Sequence, residues 1–321
     1  MAILGFDLGG TKLAAALLSE EGEKMHSLTV PIGNRIGPDV GALICEQYRT
    51  LLGYAGSRGD DIKAVGISVP GISMAHKGTV WAPNIEGWAN YPLYNEVQSV
   101  NGEIPVTIDS DRACYILGET WKGNAQGYLN VVFLAIGTGI GAGILIDGKI
   151  LRGSNDIAGC VGWMALNQDF QDDYRNFGCF EYHASGDGIG RISRKYLRED
   201  HDYKGSLVIN EISRITSHEV FEAFRTGDKI AARVINECIC YWGMATANLI
   251  SLFNPEKIIF GGGVFGPATM LIPEITREAE KWAQPLGMGQ VSIEASCLGG
   301  EAGVFGAGYL ALNSLSIKRN V

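Results

Sequence analysis

The glycine-centred segment Asp7-Leu8-Gly9-Gly10-Thr11-Lys12 lies between two apolar runs near the start of the 321-residue chain. The runs at residues 3–6 and 12–19 predict two strands, and paired glycines allow a sharp turn that presents backbone N–H groups. Such a turn can cradle a phosphate, with the Thr11 hydroxyl as a further contact and the Asp7 carboxylate near Mg²⁺. The same segment is also compatible with an ordinary hairpin turn.

A second segment of the same kind, Gly137-Thr138-Gly139-Ile140-Gly141, lies between predicted strands at residues 130–136 and 142–146. The repeated strand, loop and strand indicate a structural duplication. Neither segment opens a helix as a dinucleotide-binding fingerprint does, and neither contains the Gly-Lys-Ser/Thr of a P-loop. A third cluster, Gly261-Gly262-Gly263, follows a predicted strand and either admits an adenine or ribose or forms a tight turn. Strands and helices alternate along the chain, which predicts an α/β protein.

Composition limits the possible classes of protein. Hydrophobic residues make up 46% of the chain and charged residues 19%, which excludes a disordered chain, and the 44 glycines have no collagen period. The formal net charge of −9 argues against nucleic acid and anionic membranes as partners. We expect no signal peptide or membrane anchor, and the odd number of seven cysteines argues against a disulfide framework. Together these features predict a cytoplasmic protein.

Asp111 is the candidate general base. It follows a predicted strand at residues 106–108 and precedes a predicted helix at 112–121, a position where ligands gather in α/β proteins. A single carboxylate in such a place can accept a proton from a hydroxyl that attacks a phosphate. Two alternatives stay open: Asp111 could be the N-cap of the helix, and Asp109 could be the base.

The order of these motifs resembles the ROK family (repressor, open reading frame, kinase) of sugar kinases, within the actin, Hsp70 and hexokinase superfold. The resemblance runs nearly end to end, through Phe6 to Lys12, Ala82-Pro83-Asn84-Ile85-Glu86-Gly87-Trp88, the second and third glycine segments and Ala302-Gly303-Val304-Phe305-Gly306-Ala307. It implies two actin-like ATPase (ribonuclease H-like) lobes around a central cleft, the smaller comprising residues 1–112 and 301–321 and the larger residues 113–300.

The resemblance also implies ATP and Mg²⁺ as cofactors, Asp111 as the catalytic residue and a homodimer. The residues that would bind ATP and its phosphates are Asp7, Gly9, Gly10, Thr11, Lys12, Thr138, Gly139, Gly262 and Gly263. The residues that would line the acceptor pocket are Gly71, Asn84, Ser110, Cys160, Trp163 and Glu181.

The chain departs from the family pattern around the acceptor. Ser110 stands where the family has Asn, and Cys160-Val161-Gly162-Trp163 replaces Glu-x-Gly-His. Of the family's cysteine-rich zinc motif only Cys179 and Glu181 remain, so we expect no structural zinc, because a tetrahedral site needs four ligands. Apolar packing of Phe170, Tyr174 and Phe177 could replace the metal.

These changes make the predicted pocket more apolar, which alters substrate choice. The sequence therefore predicts ATP-dependent phosphorylation of a sugar or sugar-like polyol. Glucose, an aminosugar, a rarer hexose and a cyclitol all remain candidates. Two alternatives are a DNA-binding repressor, for which no helix-turn-helix precedes Asp7, and a catalytically silent regulator that binds sugar or nucleotide.

Overall fold

The computed structural model describes residues 1–207 and 212–318, which form two compact units. The first contains Met1–Gly127, Ile150–Ala158 and residues 300–318, and the second contains Tyr128–Lys149 and Gly159–Gly299 in their described parts. The sequence places a boundary after residue 112, two residues into a helix. The structure instead assigns that whole helix to the first unit, because it packs along the last helix of the chain.

The first unit contains a five-stranded sheet. In chain order its elements are β1 (Ala2–Leu8), β2 (Lys12–Ser19), β3 (Lys24–Pro31), α1 (Pro38–Arg58), β4 (Ile62–Val69), β5 (Ile72–Met74), β6 (Thr79–Trp81), α2 (Leu93–Asn101), β7 (Val106–Ser110) and α3 (Asp111–Lys122). The sheet order is β3-β2-β1-β4-β7, and β5 pairs with β6 separately. β1, β2 and β3 are antiparallel neighbours, whereas β1, β4 and β7 run parallel.

The last helix, Ala302–Lys318, packs on β1, β4 and α3. The approach is close enough to require glycine. A Cβ on Gly306 would lie 1.7 Å from the Cys114 carbonyl oxygen in α3, and one on Gly66 would lie 1.8 Å from the Ala307 carbonyl oxygen. This helix therefore fixes α3 against the sheet that carries the predicted site residues.

The second unit contains another five-stranded sheet and most of the remaining helices. Its elements are β8 (Val131–Ile136), β9 (Ile140–Ile146), β10 (Lys149–Ile150), α4 (Tyr174–Phe177), α5 (Cys179–Ala184), α6 (Gly186–Glu199), α7 (Ser217–Arg225), α8 (Lys229–Phe253), β11 (Lys257–Gly261), α9 (Ile272–Glu280), α10 (Pro285–Met288) and β12 (Ser292–Ala295). The sheet order is β10-β9-β8-β11-β12. β8 pairs antiparallel with β9 and parallel with β11.

The two sheets have the same strand order, which confirms the predicted duplication. A side chain caps α8, because Asp228 accepts from Ile230 N and Ala231 N at its start. The sequence did not predict α6, although Ser185 caps it by accepting from Gly188 N. Within residues 1–207 and 212–318, no helix is long and apolar enough to cross a bilayer.

Candidate active site

Polar residues of the first unit meet at the carboxyl ends of its three parallel strands. Register places Asp7 of β1 beside Ser68 of β4, and Ser68 beside Asp109 of β7. The Ser68 hydroxyl, which is buried, donates to Asp7 Oδ1 at 2.6 Å. Burial raises the pKa of Asp7, while this hydrogen bond and the Lys12 charge oppose the rise. Ser68 is a site residue that no motif indicated.

Ser110, not Asp111, caps α3. The Ser110 hydroxyl accepts from Ala113 N at 3.3 Å, and Asp111 is the first helical residue. The alternative in which Asp111 serves as the N-cap is therefore wrong, because the cap is one residue earlier. The Asp111 carboxylate accepts the adjacent Arg112 N–H at 2.8 Å.

Asp109, the rival carboxylate, is held by an arginine. Arg152 donates to both carboxylate oxygens of Asp109, at 3.0 and 2.6 Å, and Asp109 is buried. A bidentate guanidinium pair occupies lone pairs on both carboxylate oxygens. The geometry therefore assigns Asp109 a structural pairing and leaves Asp111 as the better candidate for proton transfer.

Burial raises the pKa of Asp111 to about 6, and the negative charge of Asp7 contributes to the rise. The Arg112 charge and N–H oppose it. A carboxylate with this pKa is mostly ionised at pH 7 but is more basic than an exposed Asp, which suits a general base.

The other predicted residues of the first unit lie in turns around this sheet edge. Gly9 N donates to Lys12 O at 2.9 Å, which closes the hairpin and leaves Gly10, Thr11 and Lys12 exposed. Gly71 follows β4 with a φ of 121°, and its carbonyl accepts from Arg112 Nη2 at 3.3 Å. Asn84 is exposed in the turn after β6.

The second unit has a cavity of about 330 Å³ beside its glycine loop. Two predicted residues, Thr138 and Gly263, line it. Gly137 of the second glycine segment and Val264, directly after the third, also line it. The sequence missed the others, which are Gly186, Asp187, Gly190, Arg194, Thr216 and Ser217. Most come from α6 and the start of α7. The available signal was the Ser185 cap followed by apolar residues at helical spacing, Ile189, Ile192 and Leu197.

Two predicted ATP residues, Gly139 and Gly262, lie next to this cavity without lining it. Gly262 has a φ of 88°, and a Cβ there would lie 2.4 Å from the Ile136 carbonyl oxygen. Gly139 packs instead on a carboxylate, because its Cβ would lie 2.6 Å from Glu181 Oε2.

The acceptor residues of the second unit gather around Glu181 on α5. Glu181 Oε2 accepts from Ile140 N at 2.7 Å, and burial raises the pKa of this carboxyl. Cys160 and Trp163 flank the turn whose Gly162 packs on Glu181. The Trp163 side chain is 55% exposed, so its ring face is available to a ligand.

The residues at the family's zinc position do not fit a zinc ion. Within the described ranges no group of three or more His, Cys, Asp and Glu side chains could hold a metal. His183 Nε2 lies 2.7 Å from the Tyr174 hydroxyl, and the ring stacks on Tyr241 with centroids 4.5 Å apart. Burial lowers the pKa of His183 to about 4, so the ring is neutral at pH 7. Phe170 packs edge-on against Tyr174, and Phe177 packs at a tilt against Tyr182. The lack of a structural zinc stays a prediction.

Comparison with known proteins identifies the family. The ROK family profile matches residues 3–314. A glucokinase from Halalkalibacterium halodurans is 33% identical over 315 residues, covering 96% of this chain and 94% of the relative. A xylose repressor from Caldicellulosiruptor bescii is 32% identical, covering 81% of this chain and 65% of the repressor.

The structural comparison agrees with this assignment. The crystal structure of a ROK family glucokinase from Streptomyces griseus in complex with glucose and AMPPNP superposes with a TM-score of 0.79. It is 29% identical and covers 98% of this chain and 100% of that one. The α/β actin-like ATPase fold that the sequence predicts is thereby confirmed, and the chain belongs to the ROK family.

Proposed function

We propose that this protein phosphorylates a hydroxyl group of a sugar or sugar-like polyol with ATP. The observation that carries the proposal is Asp111, a half-buried carboxylate in the first turn of α3 that does not cap the helix, whereas Asp109 is the carboxylate that pairs with Arg152. The glucokinases among its relatives support ATP as donor and a sugar as acceptor.

In the proposed reaction, Asp111 accepts the proton of the acceptor hydroxyl. The hydroxyl oxygen forms a bond to the γ-phosphorus while the bond from that phosphorus to the β–γ bridging oxygen breaks, which releases ADP. The Gly9-Gly10 turn and the Gly137 to Gly141 loop supply N–H groups for the phosphates. The cavity beside Thr138 and Gly263 is the proposed nucleoside site.

Mg²⁺ is the proposed metal cofactor, and it would neutralise phosphate charge when bound with ATP. A carboxylate beside a phosphate-binding turn fits such a hard cation, so Asp7 is its proposed outer-sphere contact. The Ser68 hydroxyl orients the Asp7 carboxyl, and this hydrogen bond and the Lys12 charge oppose the burial that raises its pKa.

The proposed acceptor pocket is lined by Ser110, Cys160 and Trp163, together with Gly71, Asn84 and Glu181. Glucose, an aminosugar, a rarer hexose and a cyclitol should be tested in one panel with ATP and Mg²⁺, with ADP release as the measurement. Turnover with one acceptor well above the ATPase background supports the kinase. Nucleotide binding without transfer to any acceptor would favour the silent regulator, which the similarity to a xylose repressor makes a real alternative.

The rate should depend on pH through Asp111. Because its pKa is raised to about 6, kcat/KM should be level near pH 8 and fall below pH 6, approaching tenfold per pH unit. ADP formed in quenched samples from pH 4.5 to 8.5 measures this, and return to pH 7.5 controls for denaturation. A level profile down to pH 5 would exclude Asp111 as the titrating base.

We also propose that the protein is a homodimer and lies in the cytoplasm. Light scattering of the purified protein and cell fractionation would test them directly.

A further inference from the structure

We propose that Glu181 is a positioning residue for the glycine loop, which it holds in the conformation that binds nucleotide. This inference rests on the proposed function, since it assigns the loop to ATP. It differs from the acceptor role predicted for Glu181 because it makes nucleotide binding depend on this carboxylate even when no acceptor is present.

The first support is the hydrogen bond from the loop. Ile140 N donates to Glu181 Oε2 at 2.7 Å, and Ile140 is the residue at which the loop enters β9. A backbone N–H bound to a carboxylate is a strong, charge-assisted hydrogen bond. The described structure thus ties one side of the loop to α5.

The second support is that glycines stand where a side chain would meet the carboxylate. A Cβ on Gly139 would lie 2.6 Å from Glu181 Oε2, and one on Gly162 would lie 3.1 Å from the same oxygen. Gly178, at the start of α5, has a φ of 77° and packs on the Gly162 carbonyl. Two segments of backbone, at Gly139 and Gly162, therefore close on Glu181, and Gly178 holds the second of them in place.

The third support is that α5 is packed in the core of the second unit and that a backbone hydrogen bond holds the other side of the loop. Phe180 is buried in the core next to Glu181. Just beyond α5, Gly186 N donates to Gly137 O at 2.7 Å. The residues that follow Glu181 also line the cavity of the proposed nucleoside site. Residues 181–186 are therefore hydrogen-bonded to both ends of the loop, to Gly137 through the backbone and to Ile140 through the Glu181 side chain.

The test measures AMPPNP binding with Mg²⁺ by calorimetry, without any acceptor. Glu181→Ala should weaken binding about tenfold, because a hydrogen bond to a charged group is lost. Glu181→Gln should stay within about threefold of the wild type, since its amide oxygen can still accept from Ile140 N. Glu199→Ala, an exposed site at the end of α6, is the matched control. Glu181→Met, of similar length but without an acceptor atom, replaces the alanine variant if that one does not fold.

Hydrogen exchange gives a readout independent of nucleotide. The Ile140 amide should exchange faster in Glu181→Ala and Glu181→Met than in the wild type, and no faster in Glu199→Ala. Wild-type AMPPNP affinity in a folded variant lacking the acceptor atom would overturn the inference and leave Glu181 as an acceptor contact only. Equal loss in Glu181→Gln would also overturn it. A wild-type protein that binds no nucleotide would instead refute the proposed function.

Discussion

Replacing Asp111 with asparagine should lower kcat by about 10²–10⁴ while leaving the fold intact. The side chain keeps its shape, and its oxygen can still accept the Arg112 N–H that Asp111 Oδ1 accepts now. What is lost is the charge that takes the proton of the acceptor hydroxyl. Steady-state ADP release with the best acceptor measures kcat, and AMPPNP calorimetry should give a Kd close to that of the wild type.

Asp109→Asn is the matched control, since it removes a carboxylate from the same strand end. Asp109 is bound by Arg152 through two hydrogen bonds and is buried, so the change should lower thermal stability. We expect its kcat to fall by less than about tenfold at a temperature where it remains folded, because no proton transfer is assigned to it. If Asp111→Asn retained more than a tenth of the wild-type kcat, the assignment of the base would be wrong.

Replacing Gly306 with alanine should lower the melting temperature by roughly 5–10 °C, for a loss of about 3 kcal/mol. The added Cβ would lie 1.7 Å from the Cys114 carbonyl oxygen and 2.8 Å from its Cα. Because both atoms belong to the backbone of α3, no side chain can move aside to make room. The last helix would have to shift away from α3, whose first residue is Asp111. Calorimetric melting at pH 7.5 measures the effect.

Gly53→Ala in α1 is the matched control for this glycine. Gly53 is exposed and helical, and nothing lies within 4 Å of its added Cβ. Alanine is the better helix former by up to about 1 kcal/mol, so this variant should be as stable as the wild type or slightly more so. A Gly306→Ala protein with an unchanged melting temperature would contradict the close packing of the last helix on α3.

The sequence by itself determined the fold class, the duplication and the order of the glycine segments. Such features are local: apolar runs at strand length, paired glycines and capping residues such as Asp228 act within a few residues of their position. The resemblance to the ROK family added Asp111 and the expectation of a sugar kinase. The division expected after residue 112 differs from the two compact units, because α3 packs on a helix almost 200 residues later.

Tertiary structure decided which polar groups act together. Ser68 reaches Asp7 only because parallel strands place them in register, and neither residue's neighbours in sequence indicate the pair. The cavity of the second unit combines Thr138 with Arg194 and Thr216, which lie on segments far apart in the chain.

Contacts between residues far apart in sequence also distinguish Asp109 from Asp111 and fix the position of Glu181. Arg152 engages Asp109 from 43 residues away, which leaves Asp111 for chemistry. The bond from Ile140 N to Glu181 spans 41 residues and depends on glycines whose missing Cβ atoms let backbone segments close on one carboxylate. Hydrogen bonds form between groups that are close in space, and folding of the chain sets those distances.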